Sequence, residues 1–255
     1  MSAGAFAGRR VLVTGASRGI GAAVARAFAH AGARVGVHYT RSAEAAERLA
    51  SELPGGGHAA LQAELSDPDA GAALAAAACE ALGGLDVLVN NAGVYRTRAF
   101  TGHDEASWRR DWDEMLAVNL SAPAHLCFHA ARRMISDGVR GRIVNVSSRG
   151  ASRGEPESPA YGASKAGLNA LTQSLAVALG PHGIAVSGVA PGWVATEMAQ
   201  AYLAGEAGRE RLAGVPLGRA ARPEEIAASV LFLASDEAEY ATGAILDVNG
   251  ASYLR

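Results

Sequence analysis

Short apolar runs alternate with longer amphipathic or alanine-rich stretches from one end of the chain to the other. Val11-Leu12-Val13 is a β-branched run of strand length that leads directly into a glycine turn and an Ala-rich helix reaching Ala31. Arg34 to Tyr39 predicts a second strand, followed by a helix over 43–53 that Pro54-Gly55-Gly56-Gly57 stops. Ala59 to Ala63 predicts a third strand. A helix over 69–82 follows, capped by Ser66 or Asp67 and closed by Gly83-Gly84, and then a fourth strand over Leu85 to Val89. A long helical pattern from Glu105 to Asn119 precedes another from Ala122 to Ser136. Strand 143–147 is followed by a helix that carries Tyr161 to Lys165 and ends near Leu179, and strand 184–190 breaks at Pro191-Gly192. The stretch 197–215 is charged and punctuated by glycine, as a helical substrate lid would be. Pro223 opens a helix to Ser235, and Gly243 to Val248 is the last strand. The predicted fold is therefore α/β, a single doubly wound domain over 1–255. Its sheet is mostly parallel and seven-stranded, with helices on both faces.

Composition narrows the class. A chain of 255 residues with 49% hydrophobic content suffices for one full core. A formal net charge of −2 supplies no field for nucleic acid or an anionic membrane, and no segment reaches the length of a membrane span. Cys79 and Cys127 fall in helical, apolar surroundings and are expected to be buried free thiols. The first ten residues, Met1 to Arg10, lack a long apolar core, so a soluble, cytoplasmic protein is the expectation. His125 and His129 share a helix face, but Cys127 points elsewhere and no third ligand is apparent, so no metal is expected.

The candidate chemistry sits where strands end. Strand, glycine turn and helix in that order suit a dinucleotide, because glycines let the backbone approach a pyrophosphate and the helix N-terminus presents free N–H groups. Gly15, Ser17, Arg18, Gly19, Ile20 and Gly21 form that turn. The second strand ends without the carboxylate that would favour NAD(H). Its tip is Tyr39-Thr40-Arg41, and Arg18 and Arg41 can converge on a 2′-phosphate, which favours NADP(H) over NAD(H). The small residues of Asn91-Ala92-Gly93 let the backbone lie against a ribose, while Asn90 can tie neighbouring strands together. Past Pro191-Gly192, the Val194 backbone and the Thr196 hydroxyl are placed to bind a carboxamide. Asn119 is a polar side chain on an apolar stretch and needs a partner.

On a helix, Tyr161 and Lys165 stack on one face. A nearby ammonium favours the phenolate and draws the phenol toward a pKa useful at neutral pH. Ser148, at a strand's carboxyl end, can add a second hydroxyl on the same substrate oxygen.

Taken together, Thr14-Gly15-x3-Gly19-x-Gly21, Asn90-Asn91-Ala92-Gly93, Asn119, Ser148, Tyr161-x3-Lys165 and Pro191-Gly192 resemble, in order and spacing, the classical short-chain dehydrogenase/reductase family and its Rossmann fold. The tail from Pro216-Leu217-Gly218-Arg219 through Pro223-Glu224-Glu225-Ile226, Phe232 to Asp236 and Thr242-Gly243 resembles the branch of 3-oxoacyl-[acyl-carrier-protein] reductases and glucose or sugar-alcohol dehydrogenases. The resemblance implies that Tyr161 is the general acid/base, that Lys165 lowers its pKa and binds the nicotinamide ribose, and that Ser148, rather than Ser147, orients the carbonyl. It also implies that Asn119 holds a water linking Lys165 to solvent and that the enzyme is a homotetramer acting on a small carbonyl or alcohol. Two departures stand out: Glu64 replaces the usual aspartate beside Leu65 at the adenine, and Val248-Asn249-Gly250-Ala251 replaces the usual Val-Asp-Gly-Gly. The expected function is an NADP(H)-dependent interconversion of ketone and secondary alcohol, like that of a 3-oxoacyl-[acyl-carrier-protein] reductase. An NAD-dependent alcohol or sugar dehydrogenase is the alternative within the family, and a non-catalytic nucleotide-binding sensor or scaffold the alternative outside it.

Overall fold

The computed structural model describes residues 4–255. Its strands are β1 (Arg10–Val13), β2 (Arg34–Tyr39), β3 (Ala59–Gln62), β4 (Val87–Asn90), β5 (Arg142–Val146), β6 (Ala185–Pro191) and β7 (Ile245–Val248). All pair parallel, in the order β3-β2-β1-β4-β5-β6-β7. The chain winds outward from β1 to β3, then returns to the centre at β4 and winds the other way. Between β1 and β4 the connections leave in opposite directions, and a crevice opens at the strands' carboxyl ends.

Period-two alternation decides which strand residues face which layer. Val11, Val13, Val35, Val37, Val87 and Val89 join one buried cluster with α1 (Gly19–His30), α2 (Ala43–Glu52) and α10 (Pro223–Ala234). Leu12, Leu88, Ile143 and Val186 join the opposite cluster, with α3 (Ala70–Leu82) and α5 (Ala122–Ser136). Against that same side lie α4 (Glu105–Leu116) and the long α7 (Pro159–Leu179). A four-residue helix, α6 (Gly150–Arg153), precedes α7, and the stretch expected to be a lid forms α8 (Glu197–Leu203) and α9 (Gly205–Ala213). Each fully buried Val or Leu of these layers contributes about 1.5–3 kcal/mol relative to exposure.

Several element ends differ from expectation by one to three residues; the last strand, for example, begins at Ile245 rather than Gly243. The helix predicted to run to Asn119 ends at Leu116, and a wider π-turn, Ala117–Ser121, joins it to α5. Pro123 is the cause, because it has no N–H to give the Asn119 carbonyl the ordinary four-residue bond; the Ala122 N–H reaches back five residues to Ala117 instead. Neither Ser66 nor Asp67 caps α3: Asp67 accepts from the Asp69 N–H at 2.9 Å, one residue short of the helix. The fourth strand runs from Val87 to Asn90 rather than from Leu85 to Val89, and its later end places Asn90 inside the sheet. There Asn90 donates to Asn145 Oδ1 at 2.8 Å, and Asn145 donates to Thr172 Oγ1 at 2.8 Å, so a buried amide chain links β4, β5 and α7 as the sequence suggested.

Asp86 closes the amino end of the sheet. It accepts from the Arg10 backbone at 2.8 Å and from two guanidinium nitrogens at 2.7 and 3.0 Å. Burial alone would raise its pKa, but these bonds outweigh burial and hold the carboxyl below its ordinary value. Such a group stabilises the fold above its unfolded pKa, and the contribution is lost as pH falls through the folded one. Asp86→Ala, which strands the part-buried Arg10, is expected to lower unfolding free energy by about 2–4 kcal/mol in denaturant titrations at neutral pH. The deficit should shrink as the solution is acidified.

Candidate active site

The turn after β1 is shaped for close approach of a ligand's backbone-sized groups. Gly15 has φ +61, and a Cβ there would lie 2.9 Å from the Ala92 Cα; a Cβ on Gly21 would overlap the Gly15 carbonyl oxygen. No side chain caps the first turn of α1, so its N–H groups remain directed at the crevice. The facing loop after β4 is tied to the turn from below. Thr14 Oγ1 accepts from the Asn91 and Ala92 N–H groups at 2.9 and 3.0 Å, and Asn91 Nδ2 donates to the Thr14 and Gly15 carbonyls at 2.8 and 3.1 Å.

Sequence reasoning missed His38. This β2 side chain is buried, and its Nδ1 accepts the Gly15 N–H at 2.9 Å while Nε2 lies 3.2 Å from the Ala63 carbonyl. That pairing fixes the neutral Nε2–H tautomer, and burial pulls the ring down to about 4, against the pull of the Ala63 carbonyl and Glu64. The only signal in the sequence is a histidine inside an otherwise apolar strand.

Ser17, Arg18, Tyr39, Thr40, Arg41, Glu64 and Leu65 line one end of the crevice, together with Gly15, Asn91, Ala92 and Gly93. Arg41 is exposed, and Arg18 lies 3.6 Å from Glu197 of α8 with 61% of its side chain in solvent. The Thr40 hydroxyl is turned to the Ala63 carbonyl at 2.9 Å, and Glu64 accepts from the Ser66 N–H and hydroxyl at 3.3 and 3.0 Å. The space, the glycine cradle and the free N–H groups fit a dinucleotide with its adenosine at this end.

At the other end the cleft is lined by Ile20, Ser148, Tyr161, Lys165, Gly192 and Thr196. Lys165 is 4% exposed; its Nζ donates to the Val146 carbonyl at 2.8 Å and lies 5.9 Å from the centre of the Tyr161 ring. The Ser147 hydroxyl is spent on the Lys165 carbonyl at 3.3 Å, whereas Ser148 Oγ accepts the Gly150 N–H at 3.0 Å and also meets the Tyr161 phenol. Asn119 is wholly buried. Its amide bonds Val94 N–H and C=O at 2.8 and 3.0 Å and the Ser164 hydroxyl at 3.1 Å, so it clamps the β4 loop to α7. Beyond Pro191 and Gly192, the Thr196 N–H donates to the Val194 carbonyl at 2.8 Å, and the Thr196 hydroxyl accepts from Ala199 N–H at 3.4 Å and caps α8.

The expected acidification of the phenol is opposed by its surroundings in the structure. Burial pushes Tyr161 up to about 12, opposed only by the Ser148 hydroxyl, and burial likewise pulls Lys165 down to about 8. The ammonium is aimed at the Val146 carbonyl instead of the phenol, so desolvation wins at both groups. Among the described residues no group of three or more His, Cys, Asp or Glu side chains has metal-binding geometry, and no helix is long and apolar enough to cross a membrane. Both cysteines are buried and free.

Known proteins of this shape are numerous. A family model described as enoyl-(acyl carrier protein) reductase matches residues 15–251. The chain is 42% identical to an L-rhamnose 1-dehydrogenase (NAD(P)+) of Azotobacter vinelandii, over 96% of this chain and 97% of that protein. It is 43% identical to a cis-4-hydroxycyclohexanecarboxylate dehydrogenase of Sinomonas cyclohexanicum, over 96% and 97%. A 3-oxoacyl-[acyl-carrier-protein] reductase of Staphylococcus aureus is 38% identical, over 96% and 98%. A solved short-chain dehydrogenase of Burkholderia cenocepacia J2315 in complex with NADP superposes with a TM-score of 0.87 at 35% identity, over 97% of this chain and 98% of that one.

Proposed function

The chain belongs to the short-chain dehydrogenase/reductase family, and from that premise we propose that it reduces a ketone to a secondary alcohol, reversibly, with NADP(H) preferred over NAD(H) and Tyr161 as the proton donor. It is an oxidoreductase acting with NAD(P) on CH–OH/C=O groups, as its relatives are. That sets aside a purely non-catalytic sensor.

The observation that carries the reading is the convergence of Ser148, Tyr161 and Lys165 at the end of the crevice opposite the adenosine site. The bound nucleotide supplies the hydride. Tyr161 O–H and Ser148 O–H point two donors at one carbonyl oxygen, and Tyr161 passes its proton to that oxygen as negative charge develops there. Lys165, held by Val146, places a positive charge beneath the ring and holds the nicotinamide ribose. Asn119 is a positioning residue here: it fixes Val94 and Ser164, and with them the loop that roofs Lys165. Ketone, reduced nucleotide and one proton become secondary alcohol and oxidised nucleotide.

Cofactor preference rests on Arg18 and Arg41 and on the absence of a carboxylate at the tip of β2. The test is steady-state reduction of a ketone panel with each nucleotide in turn. The wild type should favour NADPH, and Arg41→Ala should raise KM for NADPH by about 10- to 100-fold with little change for NADH. Equal losses with both nucleotides would remove the phosphate clamp from the proposal while leaving the carbonyl chemistry intact.

A further inference from the structure

Three charged side chains line the substrate half of the cleft: Lys165, Glu155 and Arg149. Two of them are accounted for. Lys165 donates to the Val146 carbonyl, and the Glu155 carboxyl is balanced first by Arg153, then by Arg149, with the Tyr95 hydroxyl a weaker influence. Burial raises the Glu155 pKa, which further weakens it as a counter-charge.

Arg149 is different. Its main-chain N–H is pinned to the Pro191 carbonyl at 2.9 Å, so its side chain departs from a fixed point adjoining Ser148. The residue is only 7% exposed, its guanidinium carbon lies 5.5 Å from the centre of the Trp193 ring, and Arg153 and Glu155 act on it only through space. Burial is the largest influence on this cation and disfavours its charge. A guanidinium has five N–H donors, and an aromatic face answers its charge without accepting those bonds. The Arg149 nitrogens are open to the cleft, where solvent serves those donors until a stronger acceptor enters.

Around it stand aromatic walls. Tyr95 packs edge-on against Tyr161 at 4.7 Å and against Tyr202 at 5.4 Å, and Tyr202 stacks with Trp193 at 6.4 Å. The walls suit a compact, ring-sized apolar body between the phenol and the guanidinium.

Resting on the ketone–alcohol reading above, we infer that Arg149 selects an anionic substrate: a compact ketone or secondary alcohol whose own carboxylate is bound by the guanidinium while its carbonyl oxygen meets Ser148 and Tyr161. Arg149 is then a specificity residue. A planar cation over an indole face is pre-organised for a two-pronged carboxylate contact, which a neutral polar group of the same size cannot reproduce.

The experiment compares 4-oxocyclohexanecarboxylate with its carboxamide and with unsubstituted cyclohexanone under saturating NADPH. The wild type is expected to prefer the carboxylate to the amide by about 100-fold in kcat/KM, mostly through KM. Arg149→Met should collapse that ratio to within a few-fold, and Arg149→Lys should keep part of it. Independently of turnover, cyclohexanecarboxylate should perturb wild-type tryptophan fluorescence saturably, through Trp193, and the carboxamide should not. That binding experiment and the wild-type preference stand even if Arg149→Met fails to fold. A wild type that reduces amide, cyclohexanone or neutral polyol ketones as well as the carboxylate overturns the inference and leaves the oxidoreductase reading intact. So does a preference that survives in Arg149→Met. Reduction of no ketone of any charge would instead count against the proposed function itself.

Discussion

Tyr161→Phe is expected to lower kcat by about 10²- to 10⁴-fold while leaving NADPH affinity within a few-fold of the wild type. The phenol lines the cleft, meets the Ser148 hydroxyl, and has its ring 4.7 Å from that of Tyr95. Phenylalanine keeps that edge-on packing and removes one oxygen, so a loss of rate cannot be assigned to collapse of the wall. Ser148 remains to hold the carbonyl oxygen but has no base to replenish its proton, and so the residual rate should be small. On the proposed reading the nucleotide's adenosine half would rest on the glycine turn and the β2 tip, remote from the substitution, so affinity should persist. Because burial drives Tyr161 up to about 12, the free protein carries the protonated form throughout the neutral range. Ketone reduction should therefore be insensitive to this group between pH 6 and 8, whereas alcohol oxidation, which needs the phenolate, should accelerate as pH rises. Undiminished turnover by Tyr161→Phe would end the assignment of the proton donor.

Much of this site was legible in the sequence because its parts obey local rules. The β-branched runs mark buried parallel strands, glycines mark the turn at β1, and a four-residue step on a helix places Tyr161 over Lys165. What was not legible depends on residues far apart in the chain. His38 supports the Gly15 N–H only because β2 is in register beside β1, and Arg149 meets Trp193 only because β5 and β6 end side by side. The π-turn at Asn119 follows from Pro123, a local cause, but helical periodicity does not register a single widened turn. The phenol's pKa was misjudged for a related reason: sequence spacing shows that a cation is near, not that a strand carbonyl claims it or how deep both groups lie. Thr196 shows the same ambiguity, since a hydroxyl that sequence places at a ligand is equally suited to cap α8, and in the structure it does so.

Lys165→Met should separate stability from activity. The ammonium is buried, has a carbonyl for partner rather than a carboxylate, and is pulled down to about 8 by burial from an ordinary value of 10.5. Below pH 8 both folded and unfolded chains hold this proton, and the folded chain bears the full cost of the buried charge. Between 8 and 10.5 the unfolded chain holds more protons, so wild-type stability rises with pH across that window. Methionine fills similar volume without charge. It also strands the Val146 carbonyl, at about 1 kcal/mol, against about 3 kcal/mol recovered from the ammonium's desolvation. The variant is therefore expected to be more stable than the wild type by about 1–3 kcal/mol in denaturant titrations at pH 7 without nucleotide, with the gap narrowing toward pH 10. Its kcat/KM should nonetheless fall by about 10²-fold or more, because the charge beneath the phenol and the proposed hold on the ribose would be lost together. A nucleotide-free variant less stable than the wild type at pH 7 would show that the Val146 bond, not the cost of the buried charge, governs this position; an active variant would show that the ammonium is dispensable to the chemistry.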